Sequence, residues 1–513
     1  MNLQQQWFGN IRGDLLAGIT VALALIPEAI GFSIIAGVDP MVGLYASICI
    51  AIVISIAGGR SGMISAATGA MAVLVVDLVR DHGVEYLFAA TILAGIFQVL
   101  LGWFKIGRFI TFIPQSVMTG FVNALAIVIF MAQLPQFVGA NWIMYAMVIG
   151  TLAIVYILPR FTKAVPAPLV AIIVMSLLTY FLHLDVRKVG DMGQLSNQPP
   201  VFHLPMIDVS LDMLLIILPY SISLAFVGLL ESLLTATILD EMTDSKSDKN
   251  REARGQGIAN IVNGFFGGMA GCAMIGQSVI NIKSGGRGRL STLTAGVFLL
   301  FLLLVLGNIV REAPMGALVG VMVMVSIGTF SWRSLVTIHK IPLSEAVIMV
   351  TVVAIVVATD NLSIGVGVGV VMSALLFGWK MSRIHITSTT QSGNIISNPD
   401  LLNKVEQTTT SSIEQSTVES QQLEQVKVYE VSGPMFFGTM SYFVDQFVPT
   451  DDPAQIVIDF TRSHIWDHSA VIGITKVKEK YKAVNKEVHI RGLNEESRLL
   501  LEKLGTTALS SGH

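Results

Sequence analysis

Residues 58–68, GGRSGMISAAT, and residues 264–276, GFFGGMAGCAMIG, decide the fold. Each stretch sets a Gly-Gly pair and a run of small residues ahead of a short apolar segment. Each is too glycine-rich to continue as a regular membrane-crossing helix. Working outward on the scale of about 20 apolar residues per crossing, fourteen candidate spans are centred near 22, 50, 74, 95, 125, 150, 174, 226, 260, 279, 299, 321, 351 and 371. The third and tenth are the short or glycine-interrupted ones, and they lie seven segments apart. Half-helices at matching positions of two halves mark an inverted repeat. The expected architecture is therefore an α-helical membrane protein with 14 transmembrane segments arranged seven plus seven.

Composition points the same way. The 513 residues are 53% apolar and only 13% charged, where a soluble chain carries about a quarter charged residues. Most of this chain must then face lipid or packed protein rather than water. A net charge of -3 gives no basic surplus for nucleic acid. The first apolar run has no cleavage pattern of a signal peptide and is expected to remain as a span. A cytoplasmic N-terminus places 17 Lys and Arg on inner loops and ends, Arg108 and Lys163 among them, against Arg80, Arg187, Lys188 and Arg311 outside. That positive-inside bias, with an even number of spans, predicts a multi-pass protein of the bacterial-type inner membrane with both termini cytoplasmic.

Beyond Arg383 the character changes. Residues 384–425 are rich in Ser, Thr, Gln and Asn and read as a flexible linker between a membrane domain, 1–383, and a soluble domain, 426–508. In that last domain the pattern predicts strands at Val426–Val431, Gln455–Phe460 and Glu487–Arg491 and a turn at Gly433-Pro434. Helices are expected at Asp467–Lys482 and Glu495–Leu504.

Carboxylates at mid-membrane depth are costly and call for a reason. Glu28, directly after Pro27, lies in the first span and Glu231 in the eighth, which are corresponding helices under the repeat. The short helices supply the opposite polarity. Thr68, Gly69 and Ala70 open the third segment, and Gly276, Gln277 and Ser278 open the tenth. Each helix start leaves N–H groups unpaired and carries about half a positive charge. Two such ends aimed at one midplane point form an anion site without Lys or Arg. A single membrane glycine more often serves helix packing, so the pairing carries the reading.

An anion beside Glu231 in a low-dielectric pocket is repelled. Either Glu231 takes a proton, since burial and the anion both disfavour its charged form, or sodium binds beside it with Thr235 one helical turn on. In both cases anion and cation favour each other, which predicts symport coupled to H+ or Na+, with no other cofactor. Cys49 and Cys272 sit in apolar segments without metal spacing and read as buried, inert thiols. The histidines, His183, His203 and His339 among them, show no metal spacing either, against a membrane metalloenzyme.

The chain resembles the SulP sulfate-permease family, whose animal members include pendrin and prestin. Gly13-Asp14-Leu15-Leu16-Ala17-Gly18-Ile19-Thr20-Val21 with Pro27, Phe32, Ala36-Gly37-Val38 and Gly43-Leu44-Tyr45 carries the likeness in the first spans. Pro114-Gln115-Ser116-Val117 with Gly120-Phe121, Gly255-Gln256-Gly257 with Asn260, and Ser284-Gly285-Gly286 carry it further on. The resemblance implies core and gate domains moving in an elevator-like manner, a homodimer in the lipid membrane, and a C-terminal STAS domain. It places the anion site on Thr68, Gly69, Ala70, Gly276, Gln277 and Ser278. Ser469, after Asp467-His468, falls where a serine is phosphorylated in the related anti-sigma-factor antagonists, with Asp467 as helix N-cap in the plainer reading.

Departures from the family shape the expectation. Gln277 stands where animal exchangers have an arginine, against chloride exchange. Ile275 stands where sodium-coupled bicarbonate members have a threonine, and it has no hydroxyl to offer sodium. Glu231 resembles the glutamate of proton-coupled members. The expected function is proton-coupled symport of sulfate or a similar small anion. Sodium-coupled bicarbonate transport and dicarboxylate transport stay open, as does a scaffold or sensor whose STAS domain docks a cytoplasmic protein. The STAS-like tail argues against a nucleobase transporter, which shares the membrane architecture.

Overall fold

The computed structural model describes residues 3–105, 114–162, 166–191, 198–208, 210–359, 361–392 and 425–508. Arg108, Lys163 and most of the predicted linker, 393–424, lie outside the described residues. The chain divides into two compact units, Met1–Ser373 and Ala374–His513.

In the first unit every predicted centre falls on or beside a helix. In chain order these are α1 (Ile11–Ala36), α2 (Pro40–Ala57), strand β1 (Ser65–Ala67), α3 (Gly69–Leu74), α4 (Val84–Trp103), α5 (Gln115–Met131), α6 (Trp142–Ile157) and α7 (Ala167–Phe181). There follow α8 (Leu211–Thr243), α9 (Lys249–Gly264), strand β2 (Gly271–Ala273), α10 (Ile275–Lys283), α11 (Arg289–Arg311), α12 (Met315–Thr329), α13 (Leu343–Thr359) and α14 (Leu362–Met381), which runs past Ser373. Among the described residues, eight helices are long and apolar enough to cross a bilayer, and α7, α13 and part of α11 are shorter apolar helices.

Packing sorts these helices into two groups. In one, α11 lies on α1 and α2, α9 on α4 and α2, and α8 on α4, around the two short helices. In the other, α13 lies on α5, α12 on α5 and α6, and α7 on α6. Lipid offers no hydrophobic drive between helices, so close approach depends on small residues. The α4–α9 contact meets that demand with glycine against glycine: a Cβ on Gly257 would stand 2.5 Å from the carbonyl of Gly95.

The end of α2 and the loop ahead of β1 are tied down by buried charge. The Arg289 guanidinium donates to the carbonyls of Ser55 (2.8 Å), Ile56 (3.1 Å) and Gly58 (2.6 Å), where α2 ends. These are the carbonyls a helix C-terminus leaves without partners. Glu252 of α9 accepts from the amides of Gly59 (2.7 Å) and Arg60 (3.0 Å), so the Gly-Gly turn ahead of β1 is held to the second half of the chain.

In the second unit β3 (His385–Ser392), β4 (Gln425–Met435), β5 (Gln455–Ile465) and β6 (Glu487–Arg491) form one sheet in the order β3-β4-β5-β6. Helices α15 (His468–Lys482) and α16 (Glu495–Ala508) follow β5 and β6. β3 is antiparallel to β4, and the other pairs are parallel. Two expectations are corrected. The supposed linker begins with a strand, β3, and Gly433-Pro434 lies inside β4 rather than in a turn. The register shift between Glu430 and Ser432 lets the strand pass through, with Gly433 at φ +114.

Ile456, Ile458, Phe460, Val471, Ile474 and Tyr481 are buried in the core of this unit. Buried Asp452 accepts from Lys427 (2.6 Å), from the Tyr429 hydroxyl (2.8 Å) and from the Tyr481 hydroxyl. Burial works against its charge, but the bonds from Lys427, Tyr481 and Tyr429 outweigh it and hold the carboxyl below the usual range. Asp467 caps α15, its carboxylate accepting from Ala470 at 3.0 Å. Ser469 is half-buried in the first turn of that helix.

Candidate functional site

The two short helices start from opposite ends of one small strand pair. β1 and β2 are antiparallel, with Ser65 opposite Ala273, Ala66 opposite Cys272 and Ala67 opposite Gly271. Three residues per strand are too few to hold themselves, and polar side chains from neighbouring helices complete them. Asn260 of α9 accepts from the Gly271 amide (3.0 Å) and donates to the Gly271 carbonyl (3.0 Å). Gln256 donates to the Ser65 hydroxyl (2.6 Å), Ser47 of α2 accepts from the Ala67 amide (3.3 Å), and Ser232 of α8 accepts from the Ala273 amide (3.0 Å). Such buried polar groups are tolerated because they are paired.

The antiparallel pairing runs the two strands in opposite directions, and the helix starts that follow them line one common space. Thr68 is the N-cap of α3, its hydroxyl accepting from the Met71 amide at 3.5 Å. Met274 is the N-cap of α10 and supplies no side-chain cap. The leading amides of α10 thus lack both an intrahelical partner and a capping side chain.

A cavity of about 670 Å³ adjoins both starts, lined by Glu28, Thr68, Gly69, Glu231, Gly276 and Gln277 together with apolar residues of α1, α5 and α12. Gly276 faces open space, since a Cβ built there meets nothing within 4 Å. Gly69 is closer to the far wall: a Cβ there would stand 2.8 Å from Ile129 Cδ1 and 3.0 Å from Phe32 Cε1. No Lys, Arg or His is found among the described residues that line the cavity.

The carboxylates face this space from two helices. Glu28 accepts from Gln277 Nε2 at 2.8 Å, joining α1 to α10. Pro27 just before it has no N–H, which leaves the Leu23 carbonyl without its helical partner at that level. Glu231, 9% exposed, accepts from Cys272 Sγ at 3.0 Å, and Cys272 lies 3.2 Å from the Thr68 hydroxyl. Neither carboxylate has an ion-pair partner among the described residues.

Six of the predicted site residues therefore share one cavity, and three do not reach it. Ala70 is fully buried behind the N-terminus of α3. Ser278 turns back to Ile64, accepting from its amide (3.0 Å) and donating to its carbonyl (3.3 Å). The Thr235 hydroxyl donates to the Glu231 carbonyl at 2.8 Å, within its own helix. Cys272, read as inert, is the residue the sequence reasoning passed over. Its place opposite Ala66, one strand ahead of the helix start, follows only from the strand pairing.

The cavity lies in the part of the chain that a profile described as the sulfate permease family matches, over residues 11–152 and 140–352. The chain belongs to the sulfate permease family. A STAS domain profile matches residues 417–510 of this permease. It is 57% identical over 98% of its length to YbaR of Bacillus subtilis (strain 168), a candidate sulfate transporter, and covers 98% of that protein. It is 27% identical to the bicarbonate transporter BicA of Picosynechococcus sp., over 97% of this chain and 91% of that one. The solved structure of the murine anion transporter Slc26a9 shares its fold, with a TM-score of 0.77 at 16% identity over 97% of this chain and 88% of that one. The permease is a multi-pass membrane transporter of an anion-carrying family and not an enzyme.

Proposed function

We propose that this permease carries sulfate or a similar small inorganic anion into the cell together with protons, with the anion held between the starts of α3 and α10. One observation carries the reading: two carboxylates and no basic side chain, among the described residues, line a cavity into which two helix N-termini open. Backbone amides and helix dipoles attract the anion, while Glu28 and Glu231 repel it unless they are neutralised. Protonation removes the repulsion and lets the pair bind together.

Several finer readings belong to the same proposal. The fourteen helices act as seven plus seven spans with both termini cytoplasmic, consistent with the positive-inside bias. The group containing α3, α8 and α10 forms a core that slides against a gate containing α5 and α12, the elevator motion the family resemblance implies. Thr68, Gly69, Gly276 and Gln277 contact the anion. Ala70 and Ser278 support the two helix starts from behind.

Sodium-coupled bicarbonate uptake is a second reading, supported by the likeness to BicA. Against it stands Ile275, which has no side-chain oxygen to offer sodium. Purified protein in liposomes, with the membrane potential clamped, separates the readings. An inward proton gradient is expected to drive radiolabelled sulfate accumulation and a sodium gradient to drive none. Accumulation that follows sodium and not protons refutes the proton reading.

A further inference from the structure

We propose that Cys272 is a positioning residue that reports the protonation of Glu231 to the Thr68 hydroxyl, turning that hydroxyl into an anion donor only when a proton is aboard. The inference rests on the proton-coupled reading above and adds its switch. Three side chains from three elements form one chain of hydrogen bonds: Thr68 at the start of α3, Cys272 in β2 and Glu231 in α8, linked at 3.2 Å and 3.0 Å. Thr68 and Glu231 both line the cavity, and Cys272 is fully buried between them.

Such a chain has a direction. A carboxylate can only accept, so with Glu231 ionised the thiol proton must point to Glu231 Oε2. Cys272 sulfur is then left to accept from the Thr68 hydroxyl, whose own oxygen already accepts from the Met71 amide. In that state the Thr68 proton is turned away from the cavity. When a proton from solvent adds to Glu231, the new O–H donates to Cys272 sulfur. The thiol rotates its proton toward Thr68 oxygen, and the Thr68 proton is released to swing to the anion. No bond besides the incoming O–H is made, and each rotor keeps a partner.

The titratable surroundings leave this chain to itself. Among the described residues of the elements packed on α8, Cys272 alone brings a titratable group to hydrogen-bond distance of Glu231, and Glu28 faces the same cavity from α1. Glu85 of α4 is engaged by His203, Glu252 of α9 by Gly59 and Arg60, and Lys249 by Asp240. Arg254, within α9, and Lys283, the last residue of α10, are exposed.

The chain has only two cysteines, so the Cys49→Ala protein carries a single S–H stretching band, in an infrared window clear of other protein absorption. Full-length Cys49→Ala protein is titrated with acid while this band and the carboxylic C=O band of Glu231 are recorded together. The C=O band is assigned by its loss in Glu231→Gln. The expected result is a shift of the S–H band to higher frequency, a weaker donor bond, in step with Glu231 protonation, and a band indifferent to pH in Cys49→Ala with Glu231→Gln. An S–H band that stays put while Glu231 protonates overturns the relay and leaves proton coupling standing. If no Glu231 C=O band forms over the working range, the coupling reading itself fails and the relay falls with it.

Transport gives a second readout. Cys272→Ala frees the Thr68 hydroxyl at all pH values, so the sulfate KM at alkaline pH is expected to fall about tenfold with little change at acid pH. Cys272→Ser, which can both donate and accept, restores the wild-type profile. A KM raised equally at both pH values identifies a merely structural residue and contradicts the relay.

Discussion

Glu231→Gln is expected to end proton-driven accumulation while leaving the protein folded and able to exchange anion passively. A gradient of one pH unit is worth about 1.4 kcal/mol per proton, or about tenfold accumulation per unit at zero membrane potential. In the Glu231→Gln variant the inside-to-outside ratio of sulfate is expected to stay near one whatever the gradient. Glutamine keeps the shape of the side chain and an oxygen that can accept from Cys272, so the bond seen at 3.0 Å survives in form. What it removes is the charge that makes anion binding conditional. Sulfate accumulation by the Glu231→Gln protein that still follows pH would take Glu231 out of the mechanism and leave Glu28, hydrogen-bonded to Gln277, as the coupling group.

Gly276→Val carries the second large effect. A side chain there meets no protein atom within 4 Å of its Cβ, so folding stability is expected to move by no more than about 0.5 kcal/mol. The same methyl groups occupy the space in front of the uncapped start of α10, where the anion must approach the backbone. Transport is expected to fall about a hundredfold, the scale of loss when a reacting or bound group is displaced by about an ångström. Gly69 gives a less clean test, because its Cβ would already press on Ile129 and Phe32. Normal sulfate transport by a well-folded Gly276→Val protein would place the anion elsewhere.

The legibility of this fold follows from physical cost. Long apolar helices are costly to expose to water and carboxylates are costly inside a membrane, so the positions of both could be read directly. The paired glycine-rich stretches pointed to the short helices α3 and α10, but the strands β1 and β2 ahead of them, their antiparallel register and the role of Asn260 needed coordinates. Cys272 was not legible as a partner of Glu231. The two are far apart in sequence, and a thiol in an apolar run looks the same whether or not it donates. β3 was missed because its Thr and Ser residues show no apolar alternation. Gly433-Pro434 misled because a glycine at positive φ inside a bulged strand has the signature of a turn.

The central claim is that anion and proton bind as a pair, and anion-linked proton uptake measures it directly. Sulfate is added to purified protein in weakly buffered solution near neutral pH while the pH is recorded. The solution is expected to turn more alkaline by up to one proton per site for Glu231, and the Glu231→Gln substitution to abolish this component. Sulfate binding without proton uptake by the wild-type protein would contradict it.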